Sequence, residues 1–98
     1  GISINSIVAS GTVIAGGNVQ GSILCNNVFI DDEALVQESI LFEGVRVGQG
    51  AALRNCIVDK FVDIPAGERI GYDTNLDRER FHVSDKGVLV IPKDYCFQ

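Results

Sequence analysis

Aliphatic side chains return every 16 or 17 residues through the first seventy positions of this chain, and that period restricts the fold more than any other feature. Val8, Leu24, Leu41 and Val58 form one column, at spacings of 16, 17 and 17. Ile14, Ile30, Val47 and Ile64 form a second with the same spacings. Gln20, Val36, Leu53 and Ile70 form a third, with one polar member. Columns six residues apart describe a triangular coil with one short strand on each side. Self-similarity of this kind, built from hexapeptides, predicts an all-β chain wound as a parallel β-helix of about four coils.

Strand side chains alternate between faces, so the residues two before each column should also point inward. They are Ser6, Ser22, Ser39 and Cys56, then Thr12, Val28, Val45 and Val62, then Asn18, Ala34, Ala51 and Glu68. Nearly all are small or β-branched, as the corners of a narrow prism require. A glycine, a small residue or an acid often follows the aliphatic, where the chain must bend (Ala9, Ala15, Gly21, Asp31, Gly48, Asp59). The pattern resembles that of left-handed hexapeptide β-helices. The left hand, an exception to the usual crossover rule, rests on that resemblance and not on the spacing.

Ninety-eight residues make one small domain. With 46% apolar and 21% charged residues the composition is globular. No apolar stretch approaches the ~18 residues of a membrane span, and no charged segment precedes an apolar one as a secretory signal would. The absence of an initiator Met suggests a piece of something longer. A net charge of −5 with no basic stripe argues against nucleic acid as a partner. Cys25, Cys56 and Cys96 are odd in number and lack metal-site spacing. They read as incidental thiols in a reducing cytoplasm.

The placement of charge is more informative than its total. Asp31 is the first charged side chain. The outward positions on side one are Ile7, Ile23, Ile40 and Ile57. Side two presents Val13, Phe29, Arg46 and Asp63, and side three Val19, Leu35, Ala52 and Arg69. A strand apolar on both faces is normally covered on both, and an exposed apolar patch marks an interface. The four isoleucines are therefore expected to form a domain or subunit interface, or to be covered by the chain's own tail.

Residues 1–70 form the β-helix in this reading, and residues 71–98 a capping or fold-back segment. Asp73 is placed to cap a short helical turn through Leu76 to Glu79. Arg80 to Val83 alternates as a strand, Ser84 to Gly87 reads as a hairpin turn, and Val88 to Ile91 is a second strand stopped by Pro92. Glu68, in an otherwise small and apolar slot, suits a terminal coil facing solvent.

Catalytic signatures are missing. His82 is the one histidine and lies in the tail, so no coil carries a general base for acyl transfer, and a histidine-rich zinc site has too few ligands. The run Asp31-Asp32-Glu33 reads as a solvated corner before it reads as a cation site. The glycines of Ala15-Gly16-Gly17 and of Gly44 to Gly50 are corner residues with no Lys-Ser/Thr after them.

The stretches Val36 to Gly48, Cys56 to Lys60, Val62-Asp-Ile-Pro-Ala-Gly67, Ile70 to Asp73, Asp77-Arg-Glu-Arg-Phe81-His-Val-Ser84 and Gly87-Val-Leu-Val resemble the C-terminal end of bacterial glucose-1-phosphate adenylyltransferases (ADP-glucose pyrophosphorylases). The tail carries most of that specificity, because many sugar nucleotidyltransferases and acyltransferases have similar coils. The resemblance implies an enzyme making ADP-glucose and pyrophosphate from ATP and glucose 1-phosphate in glycogen synthesis. It implies an N-terminal catalytic domain, with Mg2+, that is absent here. It also implies a tetramer, and a β-helix that serves assembly and borders a cleft for anionic sugar-phosphate effectors. Lys60 matches a basic position linked to effectors in the family. Arg54 lies near it in sequence, and Lys93 falls in another basic region of the family's tail. These three are the candidate phosphate contacts. Arg78 and Arg80 are expected to pair with corner carboxylates. The chain should be non-catalytic by itself. Alternatives are the β-helix of another sugar-nucleotide pyrophosphorylase, or a non-enzymatic assembly or regulatory module.

Overall fold

Strands here are only two or three residues long, because each hexapeptide must reach a corner before the next side begins. The computed structural model describes residues 2–97. The chain enters along β1 (Ile2–Ile4). The first coil is β2 (Ile7–Val8), β3 (Val13–Ile14) and β4 (Asn18–Gln20). The second is β5 (Ile23–Leu24), β6 (Phe29–Ile30) and β7 (Leu35–Gln37). The third is β8 (Ile40–Leu41), β9 (Arg46–Val47) and β10 (Ala52–Arg54), and the fourth β11 (Cys56–Val58), β12 (Asp63–Ile64) and β13 (Arg69–Ile70). Each side of the prism is a parallel sheet: β2-β5-β8-β11, β3-β6-β9-β12 and β1-β4-β7-β10-β13. Corners turn through residues of positive φ, including Asn27 (59°), Glu33 (61°), Glu38 (49°), Asn55 (53°) and Phe61 (58°). No helix among the described residues is long and apolar enough to cross a membrane.

The aliphatic columns of sides one and two point inward as expected, and Leu24, Leu41, Val58, Ile30 and Val47 are fully buried. The third column needs a correction in its first coil. β4 pairs with β7 through Val19↔Val36 and Gln20↔Gln37. Val19 is therefore the buried residue, and Gln20 and Asn18 face solvent. The corner Ala15-Gly16-Gly17 is one residue shorter than its equivalent above, so Ile14 to Val19 is five steps where Ile30 to Val36 is six. Gly17 makes the short corner possible. A Cβ there would lie 2.8 Å from the Ala34 carbonyl oxygen and from Ile30 Cγ2. The polar member of the column was the sign of this deletion.

The inward serines do more than fit. Ser22 N–H donates to Ser6 Oγ (3.1 Å), Ser39 N–H to Ser22 Oγ (3.1 Å) and Cys56 N–H to Ser39 Oγ (3.2 Å). Each hydroxyl donates in turn to a carbonyl two residues earlier, as Ser39 does to Gln37 at 2.8 Å. Corner N–H groups that the ladders miss are thereby satisfied inside the prism, where an unmet donor is costly.

The segment after Ile70 closes the upper end. Helix α1 (Thr74–Arg80) starts at Asp73, whose carboxylate accepts the Leu76 N–H at 3.2 Å. It runs one residue beyond Glu79 and takes in Arg80, expected in a strand. Arg80 Nη1 reaches Glu68 Oε1 at 2.7 Å. Glu68 thus faces this guanidinium and not open solvent. Then β14 (His82–Val83) pairs antiparallel with β15 (Leu89–Ile91), and β15 lies parallel on β11 with Val58↔Ile91. Side one therefore gains a fifth rung. Phe81, Tyr95 and Phe97 pack together at centroid distances of 4.9 to 5.9 Å.

Asp77 joins cap to coil. It is buried, and its Oδ2 accepts the Gly71 N–H at 3.1 Å. Burial pushes its carboxyl above the ordinary 3.8, against the opposing pull of that N–H and of Arg80. Between the unfolded and the raised folded value, the folded chain holds a proton that the unfolded chain has lost. Stability from this group therefore falls as pH rises through that window. Asp77→Asn keeps an oxygen for Gly71 and cannot ionise. Its urea midpoint is expected to gain on the parent's as pH rises from about 4 to about 7. Parallel pH curves for the two proteins would show that burial does not hold this proton.

Candidate functional site: a lysine corner beside the isoleucine face

The turn that follows side one stacks in register up the solenoid. Gly44 N–H donates to the Asn26 carbonyl (3.2 Å), Phe61 N–H to Glu43 (3.0 Å) and Asp94 N–H to Lys60 (3.1 Å). Asn26, Glu43, Lys60 and Lys93 therefore occupy the same place on successive rungs, about 4.8 Å apart in the hydrogen-bonding direction. Lys60 and Lys93 are exposed and form no ion pair among the described residues. Asp59 Oδ1 accepts the Lys60 N–H at 2.7 Å and holds the corner.

The structure thus brings Lys93 beside Lys60 and leaves Arg54 apart. Arg54 ends β10 at the opposite corner of side one, with β11 between it and Lys60. The three residues of β11, at about 3.3 Å each, lie between the two, with a corner at either end. Arg46 and Arg69 have aromatic partners, lying 5.0 Å from the Phe29 centroid and 4.7 Å from that of Tyr72.

Next to the lysine corner a shallow cleft of about 380 Å³ opens, lined by Ile7, Ile23, Asn26, Phe42, Glu43 and Lys60. Ile7, Ile23, Ile40 and Ile57 pair in one outward row, extended by Val90 on β15. Ile7 is 66% and Ile23 40% exposed, whereas Ile40 and Ile57 are half-buried. In the cleft Ile7 and Ile23 of this row come together with Lys60, and Lys93 stands one rung above it. Sequence reasoning missed Glu43 and Asn26, although Asn26, Glu43 and Lys60 recur at 17-residue spacing and could have been read as a column. Lys93 was harder to place, because only the pairing of β15 on β11 sets it above Lys60.

Elsewhere, His82 is exposed on the edge strand β14. Cys56 ends the serine ladder, and burial pushes its thiol up to about 12. Asp31 Oδ1 accepts the Asp32 N–H at 2.7 Å within the acidic corner. Among the described residues no group of three His, Cys, Asp or Glu could hold a metal ion.

Geometry defines the class first: a hexapeptide-repeat β-helix closed at its upper end by a helix and a hairpin. The chain belongs to the family described as GlmU-like, C-terminal hexapeptide, which matches residues 1–91. Within that class it is similar to glucose-1-phosphate adenylyltransferases. It is 52% identical over 97 residues to glucose-1-phosphate adenylyltransferase 2 of Vibrio cholerae serotype O1, covering 99% of this chain and 24% of that protein. It is 47% identical to the glucose-1-phosphate adenylyltransferase of an Anaeromyxobacter species, covering 95% of this chain and 23% of the relative. With that of Koribacter versatilis it shares 40% identity over 97% of this chain and 23% of the relative. The chain spans about a quarter of the length of the curated relatives it matches.

Proposed function

We propose that this chain is the assembly and regulatory β-helix of a glucose-1-phosphate adenylyltransferase, which joins ATP and glucose 1-phosphate into ADP-glucose and pyrophosphate in cytoplasmic glycogen synthesis. Catalysis, with its Mg2+, belongs to an N-terminal domain of the parent protein. The β-helix holds that domain along the isoleucine face, contributes to a tetramer, and supplies cations to a site for anionic sugar-phosphate effectors.

One observation carries this reading. Ile7 and Ile23 of the outward row line the same cleft as Lys60. A phosphate drawn to Lys60 and Lys93 would rest against the face on which the catalytic domain packs. An effector touching both parts binds one domain arrangement better than another, and that difference in affinity is what allostery requires. Two cations on adjacent rungs of a rigid sheet suit a phosphoryl group.

In the intact protein, the double variant Lys60→Ala/Lys93→Ala is expected to raise the half-saturating concentration of an activating hexose phosphate at least about tenfold. Hydrogen bonds to charged groups contribute about 1.5–3 kcal/mol each. Arg54→Ala should change it by less than about twofold, as for a solvated surface charge. Activation curves of the purified variants make the comparison, and an unchanged curve for the double variant would remove the lysine corner from the effector site.

A further inference from the structure

Read along the corner, the order is Lys93, Lys60, Glu43, Asn26: two cations, then a carboxylate, then an amide. Glu43 is half-buried and its carboxylate makes no hydrogen bond or ion pair among the described residues. It lines the cleft together with Lys60 and Asn26. Its place is held by the backbone, since its carbonyl accepts the Phe61 N–H and the neighbouring Gly44 N–H bonds the rung below. The two ends of the corner therefore differ in what they can recognise. The lysines donate to phosphate oxygens. Glu43 accepts from hydroxyl groups, and Asn26 both accepts and donates.

We propose, resting on the effector reading above, that Glu43 determines the specificity of the cleft: it admits a hexose carrying one phosphoryl group and disfavours one carrying two. With one phosphate held at Lys60 and Lys93, the sugar lies along the corner toward Glu43 and Asn26. Four rungs span about 14 Å, enough for a hexose phosphate. A hydroxyl meeting Glu43 gives a charge-assisted hydrogen bond. A second phosphoryl group in that place would set two anions within a few ångströms of each other in a cleft partly walled by isoleucine and phenylalanine. Repulsion at that range strengthens where solvent is excluded, so a bisphosphate should bind about tenfold less well than it would beside a neutral residue.

The test measures binding of glucose 6-phosphate and of glucose 1,6-bisphosphate to the intact protein by titration calorimetry. The parent is expected to favour the monophosphate. Glu43→Gln, of the same shape and neutral, is expected to shift the ratio of the two affinities by about tenfold toward the bisphosphate. Glu38→Gln, which removes a carboxylate from a different corner, should leave the ratio in place and so separates a local effect from one of total charge. A ratio unmoved by Glu43→Gln, or moved equally by Glu38→Gln, overturns the role of Glu43. If Lys60→Ala/Lys93→Ala still weakens both ligands in that case, the lysine corner stands without it. A double variant that binds both ligands as well as the parent, or a parent that binds neither, overturns the effector reading itself and the specificity with it.

Discussion

Gly71→Ala is expected to destabilise the chain by about 3 kcal/mol or more, whereas Gly67→Ala, one corner earlier, should cost about 1 kcal/mol. Both glycines have positive φ, +94° and +74°. Their surroundings differ. A Cβ on Gly67 would meet nothing within 4 Å, while one on Gly71 would fall on the carbonyl oxygen of Arg54. That oxygen belongs to the backbone of β10 and already accepts from Cys56 Sγ at 3.1 Å, so it cannot swing aside as a side chain would. Moving Gly71 instead would strain the bond from its N–H to Asp77, through which α1 is tied to the fourth coil. The loss should therefore appear with loosening of the cap and greater exposure of Phe81. Urea unfolding of both variants, followed by backbone circular dichroism, gives the comparison. Equal losses would mean that φ alone matters and that the approach to Arg54 is easily relaxed.

The second large effect is expected at the centre of the stack. Leu41→Ala should cost about 3–4 kcal/mol, and Val8→Ala less than about 1 kcal/mol, although both stand in the same inward column. Leu41 is fully buried between Leu24 below and Val58 above, whereas Val8 in the first coil is 41% exposed. Rigid ladders on three sides limit collapse around a cavity at position 41. A solenoid is also held together rung by rung, so a weakened middle coil loosens its contacts on both sides. About 3–4 kcal/mol is a large share of the roughly 5–15 kcal/mol that stabilises a small protein. The same unfolding experiment applies, and a Val8→Ala loss matching that of Leu41→Ala would show that the first coil is as firmly held as the third.

Much of the fold was legible because its energetic logic is local and repeated. Inward aliphatics on sides one and two, small residues before them, the cap of Asp73 on α1 and the hairpin at Ser84 to Gly87 each depend on a few adjacent residues. The third column failed in its first coil for a physical reason. Counting in sixes assumes equal corners, and Gly16-Gly17 allowed a corner one residue shorter. In sequence the serine ladder reads only as small side chains, since its hydrogen bonds reach between rungs.

Period and residue type by themselves determined the coil, the direction of the aliphatic columns, the outward isoleucine row and the start of the cap, because each is set by alternation along a strand or by stacking at a constant interval. Which cations share a corner depends on long-range pairing. Lys60 and Arg54 are close in sequence and stand at opposite corners of side one. Lys60 and Lys93 are far apart in sequence and stand on neighbouring rungs, because β15 returns to pair with β11 and carries Lys93 onto the same corner. That return depends on how α1 and the hairpin pack against the last coil, through Asp77 on Gly71 and Arg80 on Glu68. Such contacts have no period, and so no repeat in the sequence announces them.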